Sequence, residues 1–316
     1  MADDLLENAD SLVKQGRMDE AANLYHQFLR TTPRHFEALR ALGLIYFQSN
    51  RYEQAQQLFG EALKLDPFHA EGLCFRGVAL LALKRRHDAI ACFDQALAQA
   101  PDFVDALCNR ATALLELNRF EEALDGFRRA LAINPAHAPS WNNFANTLLM
   151  LNRYDEALHA YDQALAIQPD HPDAKTNRLR LFQRASGDEN LANSLCARGA
   201  ALANAMRFEE ALTCFDDALL VKPDFVDAYC NRASALFELG RVEDALKFYE
   251  VALSLEPNHA MSWSNRGHAL AAVNRLDEAV ESYEKALTIA PDLADASEAL
   301  AELRAARAEP GATPSA

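Results

Sequence analysis

Residues 138–171 read APSWNNFANTLLMLNRYDEALHAYDQALAIQPDH, and this stretch decides the fold. Trp141, Phe144, Ala145 and Leu148 fall at i, i+3, i+4 and i+7, one face of a helix. Asn152 marks a break, because asparagine tolerates the left-handed backbone that ends helices. Ala157, Tyr161 and Ala164 make the face of a second helix. Pro169 closes it, since proline disfavours helical geometry in the residue before it. The stretch is an antiparallel helix pair.

The same pair recurs. Pro33, Pro67, Pro101, Pro135 and Pro169 lie 34 residues apart, and after a gap of 54 the spacing resumes at Pro223, Pro257 and Pro291. A beat of this kind means stacked copies of one supersecondary unit, which present an extended groove rather than a catalytic pocket. Two positions in each unit stay small. Ala21, Ala55, Ala89, Ala123, Ala157, Ala211, Ala245 and Ala279 hold one place on the second helix. Gly43, Gly77, Ala111, Ala145, Gly199, Ala233 and Gly267 hold one on the first. The helices can therefore approach closely. Four residues after each second-helix alanine comes an aromatic (Tyr25, Phe59, Phe93, Phe127, Tyr161, Phe215, Tyr249, Tyr283) to fill the space beside the contact.

Period, small positions, aromatics and closing proline together resemble the tetratricopeptide repeat family over about residues 2–293. The resemblance implies an all-α, right-handed α-solenoid of eight helix hairpins whose first helices line a concave face. On this reading five repeats occupy 2–171 and three occupy 192–293. Residues 172–191 form an extra capping-type helix and turn, 294–308 a C-terminal capping helix, and 309–316 a flexible tail. The interruption has a source in the sequence itself. Segment 101–141 closely parallels 223–263 at an offset of 122, and that offset maps 172–185 onto the terminal helix at 294–307. A block of three repeats with its cap was duplicated, which traps the first cap inside the chain and leaves a seam near Gly187. Asp102, Asp170, Asp224 and Asp292 follow their prolines, each with another aspartate three residues on, and are expected to cap first helices.

Composition narrows the function. The net charge of −15 repels phosphate backbones, so no nucleic-acid partner is expected. Apolar runs are too short and interrupted for a membrane span, and the acidic start lacks a secretory core, so no membrane partner and a cytoplasmic location are expected. The six cysteines are three residues and their copies, with no CxxC spacing, and read as reduced. Five histidines two residues after ruler prolines (His35, His69, His137, His171, His259) have no second ligand nearby. They read as loop caps or packing, and no metal or other cofactor is expected. No phosphate loop or nucleophile elbow is present, so the chain is not read as an enzyme.

The candidate site is the exposed side of the first helices. Asn109, Asn143, Asn231 and Asn265 share one position there, and Asn177 holds it on the trapped helix. An asparagine amide donates and accepts together, matching a peptide backbone. The row resembles the asparagine ladder of protein O-GlcNAc transferases, which implies backbone holding of a threaded peptide. Glu7, Ala41, Phe75 and Ala197 interrupt it, so two short lanes are expected. Cys74, Cys108, Cys196 and Cys230, then Leu115, Leu149 and Phe237, are expected to line the groove. The position after the ladder carries Arg76, Arg110, Arg178, Arg198, Arg232 and Arg266. Their stems can pack inward while the guanidinium meets a carboxylate, from a neighbouring helix or from an acidic peptide.

These features lead to a non-catalytic scaffold that binds another protein or an extended peptide. The alternatives are a substrate-recruiting arm or partner of a protein glycosyltransferase, and a helical-repeat RNA binder. Self-association through the stack ends stays open.

Overall fold

The computed structural model describes residues 2–308; the tail at 309–316 lies outside the described residues. Eighteen helices are present among them, and no strand. The chain divides into two compact units, Met1–Arg178 and Leu179–Ala316.

The first unit stacks five hairpins: α1 (Ala2–Lys14) with α2 (Met18–Thr31), α3 (Phe36–Gln48) with α4 (Tyr52–Leu63), α5 (Ala70–Ala82) with α6 (Arg86–Gln99), α7 (Val104–Glu116) with α8 (Phe120–Ile133), and α9 (Ala138–Met150) with α10 (Tyr154–Ile167). Helix α11 (Pro172–Arg184) carries the division between the units within its length. The second unit stacks α12 (Glu189–Asn204) with α13 (Phe208–Val221), α14 (Val226–Glu238) with α15 (Val242–Leu255), and α16 (Ala260–Ala272) with α17 (Leu276–Ile289), ending in α18 (Ala294–Ala308). Each unit is an α-solenoid. First helices also pack on the next first helix, as α5 does on α7 and α14 on α16, which puts them on the inner side of each stack.

The hairpin turns follow the chemistry read at Asn152. Asn50, Asn118, Asn152 and Asn274 sit at φ between 57° and 60°, Gly16 and Gly240 at 76° and 73°. The residue after each of these turns is an arginine that meets the side chain three residues on: an acid in most, as Arg119 does with Glu122 and Arg153 with Glu156, and the amide of Gln54 for Arg51. These pairs are exposed and worth little individually.

The eight repeat aromatics are all among the largest fully buried side chains. Each contributes about 1.5–3 kcal/mol by burial alone. Contact with the small position is tight: a Cβ placed on Gly43, Gly77, Gly199 or Gly267 would lie 2.7, 2.6, 2.5 or 2.6 Å from the ring of Phe59, Phe93, Phe215 or Tyr283. Where the aromatic is tyrosine, its hydroxyl has a partner fifteen residues back in the same hairpin. Tyr25 donates to Asp10, Tyr161 donates to Asn146 Oδ1 at 2.6 Å, Tyr249 meets Ser234 at 3.0 Å and Tyr283 meets His268 at 2.9 Å. The phenylalanines at 59, 93 and 215 face Leu44, Val78 and Ala200 at that offset, where no hydroxyl needs an acceptor.

Capping differs from the expectation for the aspartates. α7 and α14 begin at Val104 and Val226, with Phe103 and Phe225 as N-caps and no side-chain cap bond. Asp102 and Asp224 lie one residue too early to reach the free amides. Histidines cap instead: His35 accepts from Ala38 N, His69 from Gly72 N and His259 from Ser262 N. Between the last two hairpin sets, α12 starts at Glu189 rather than at 192, with Asp188 accepting from Leu191 N. The turn at Gly187 (φ 81°) donates its N–H to Val221 O at the end of α13. Ala174 on α11 and its counterpart Ala296 on α18 are both fully buried.

Candidate functional site

All five ladder asparagines are half-buried on the inner side of their stacks. Asn109, Asn143 and Asn177 stand on the successive first helices α7, α9 and α11 of the first unit. Asn231 and Asn265 stand on α14 and α16 of the second.

Each amide also works within the stack. Asn109 bonds Cys74, Asn177 donates to Asn142 Oδ1 at 3.1 Å, Asn231 to Cys196 Sγ at 3.4 Å and Asn265 to Cys230 Sγ at 3.8 Å. For these four the partner lies 35 residues back, on the preceding first helix. Asn265 reaches Ser234 Oγ at 3.2 Å as well. Asn143 accepts from Asn142 Nδ2 at 3.2 Å. Asn109, Asn177, Asn231 and Asn265 therefore tie neighbouring first helices together. What is left for a ligand is the other half of the amide; Asn231 Oδ1 accepts no bond among the described residues.

Cys74, Cys108, Cys196 and Cys230 lie in the seam between first helices and are buried. Burial pushes the Cys74 thiol up to about 12, against the opposing effect of its bond to Asn109. Cys108, Cys196 and Cys230 are raised by the same cause. They are inert at neutral pH, and Cys74, Cys196 and Cys230 meet the asparagines while Cys108 meets Ser140, rather than giving surface to a groove. Leu115, Leu149 and Phe237 are half-buried on the same helices.

Hollows open on this inner side. One of about 330 Å³ lies between α12 and α14 over α13, lined by Asn204, Phe208, Asn231, Ser234 and Glu238. Its equivalent between α1 and α3, about 320 Å³, is lined by Asp10, Lys14, Tyr25, Arg40 and Gln48, with Ala41 in the ladder position. Both have apolar floors and polar rims, suited to a chain segment with side chains in pockets and backbone against amides. No group of three or more metal-ligating side chains occurs among the described residues.

The arginines after the ladder are sorted by the structure. Arg110 pairs with Asp94 at 2.5 Å, Arg178 with Asp162 at 2.9 Å, Arg232 with Asp216 at 2.6 Å, and Arg266 approaches Glu250 at 4.0 Å. The acid is sixteen residues back, on the preceding second helix. Arg198 donates to Cys214 Sγ at 3.3 Å. Arg76 has no such partner.

Family comparison agrees with this architecture. Tetratricopeptide repeat matches cover residues 6–70 and 42–85, 70–103, and 102–170 and 224–292. The chain belongs to the tetratricopeptide repeat family. No curated protein matches it. Among solved tetratricopeptide-like structures, MamA 41-end from Desulfovibrio magneticus RS-1 is 18% identical, with a TM-score of 0.51, covering 54% of this chain and 97% of that one. YrrB, described as a TPR protein with an unusual peptide-binding site, is 22% identical with a TM-score of 0.35, covering 66% and 96%. The first TPR of Spaghetti, solved with an HSP90 peptide, is 28% identical with a TM-score of 0.36, covering 38% and 95%. No described helix of this tetratricopeptide protein is long and apolar enough to cross a membrane.

Proposed function

We propose that this chain is a non-catalytic scaffold that holds an extended segment of another protein along its first helices. The segment lies in two separate lanes, one over Asn109, Asn143 and Asn177 and one over Asn231 and Asn265. The observation that carries this reading is the hollow beside Asn231. There a half-buried amide oxygen without an intramolecular donor faces a recess with an apolar floor. A backbone N–H of the bound segment donates to that oxygen, and its side chains enter the recess past Phe208. Leu115, Leu149 and Phe237 supply apolar contact along the lanes. Recognition through the backbone selects for extended, unpaired chain more than for one side-chain sequence.

The test is display of a random peptide library on the wild-type chain beside the Asn109, Asn143, Asn231, Asn265→Ala variant. Because Asn109, Asn231 and Asn265 also bridge repeats, helicity and thermal midpoint are measured on both. Peptides selected by the wild type and lost by a variant of unchanged helicity support the lanes. An identical peptide set for both proteins removes the asparagines from recognition.

A further inference from the structure

A second binding position lies on the other side of the first unit, at Arg76. Elsewhere in the chain the equivalent arginine meets an aspartate sixteen residues back: Asp94 for Arg110, Asp162 for Arg178 and Asp216 for Arg232. For Arg76 that place is Gly60. The guanidinium still lies over it, since a Cβ on Gly60 would sit 3.8 Å from both Cζ and Nε of Arg76. Arg76 Nε is shut off from solvent and has no hydrogen-bond partner. A buried donor left unpaired is unfavourable, and an arginine left unpaired is a charge-assisted donor in search of an acid.

The missing side chain leaves room. A hollow of about 440 Å³ opens between α4 and α6 over α5, lined by Gln56, Gln57, Gly60, Lys64, Arg76 and Gln95 among others. Glu61 also borders it, but its carboxylate is engaged by Lys64 at 2.5 Å, and Gln56 is held by Glu53. The net result is one uncompensated positive charge inside a recess rimmed by three glutamine amides. That rim can bind the oxygens and the flanking peptide groups of an incoming acid.

We propose that this hollow takes a carboxylate from an aspartate or glutamate side chain of a partner polypeptide, which completes at Arg76 the ion pair that Arg110, Arg178 and Arg232 make internally. The position is separate from the asparagine lanes, lying between second helices α4 and α6, with Arg76 reaching it from first helix α5. A partner that follows a lane on the inner side and reaches this hollow must wrap an edge of the stack, or two partners bind at once.

The full chain is titrated with acetyl-Ala-Glu-Ala-amide, its neutral counterpart acetyl-Ala-Gln-Ala-amide, and glutarate. The readout is the side-chain Nε–Hε resonance of Arg76, assigned by its loss in Arg76→Lys. The glutamate peptide is expected to move that resonance saturably and to bind at least tenfold more tightly than the glutamine peptide. Gly60→Asp, whose Cβ meets no atom closer than ordinary contact, is expected to shift the resonance by itself and to abolish the titration. A resonance that does not move, equal response to both peptides, or full binding by Gly60→Asp overturns the proposal. Glutarate binding more tightly than the glutamate peptide overturns the polypeptide source.

Discussion

Two glycines in neighbouring helices should answer the same substitution with opposite signs. Gly60 and Gly77 both sit inside helices, α4 and α5, so alanine at either gains about 1 kcal/mol of helix propensity. Their surroundings differ. A Cβ at Gly60 meets nothing closer than 3.8 Å, which is ordinary contact. A Cβ at Gly77 falls 2.6, 2.9 and 2.9 Å from three atoms of the Phe93 ring. Phe93 is fully buried and cannot swing aside. Overpacking of this kind costs about 1–3 kcal/mol, and three close contacts place the cost in the upper part of that range. Gly60→Ala should therefore gain about 1 kcal/mol and Gly77→Ala should lose about 1–2 kcal/mol. One repeat that carries alanine here has made room: Ala111 on α7 faces Gly126 on α8, where a Cβ would lie 3.0 Å from the Ala111 Cβ. Urea unfolding followed by helical circular dichroism reads the difference as shifts of midpoint in opposite directions. A Gly77→Ala midpoint at or above that of Gly60→Ala would refute the close-approach account of the small-residue position.

Tyr161→Phe should lose about 1 kcal/mol, because Asn146 then keeps no donor for its oxygen, while Tyr161→Phe with Asn146→Leu should recover most of the loss, as the pairing of Phe59 with Leu44 does already; thermal melts of the three proteins decide it. The buried thiols make stability fall in alkali. Cys74, raised to about 12 in the folded chain, stays protonated where the unfolded thiol, at 9.0, has ionised, so the unfolded state binds fewer protons. Its contribution is complete below pH 9 and declines from there toward pH 12. The urea midpoint should drop across this window, and Cys74→Ala should flatten the drop. For the same reason a maleimide at pH 7 should label the native chain slowly and the unfolded chain at all six cysteines.

Much of this was open to reading before any coordinates. The proline spacing and the small-aromatic pairs depend on contacts within one hairpin, which recur at fixed offsets and so show as columns. The left-handed turn at Asn152 and the burial of Tyr161 follow from single residues in such columns. The histidines were expected as loop caps or packing, and His35, His69 and His259 do cap; the aspartate caps were misplaced. Aspartate is the stronger N-cap, but capping depends on where the helix starts, and Phe103 and Phe225 shift that start past Asp102 and Asp224. The double duty of the asparagines was hidden as well. Asn231 and Cys196 come from different repeats, and nothing in either column announces that they meet. Gly60 could have been found in the sequence, had the sixteen-residue offset to the arginine column been known. Only the structure supplied that offset.

The tyrosine hydroxyls have an evolutionary side. Each finds its acceptor inside its own hairpin, so a hairpin copied elsewhere in the gene arrives with that need already met. The arginine–aspartate pairs straddle neighbours and survive copying only where the order of neighbours is kept. Duplication in blocks preserves every such pair but those at the joints. A lineage that grew by blocks thus risks mismatch at few places, and a mismatch of this sort at Gly60 and Arg76 is raw material for a new attachment point.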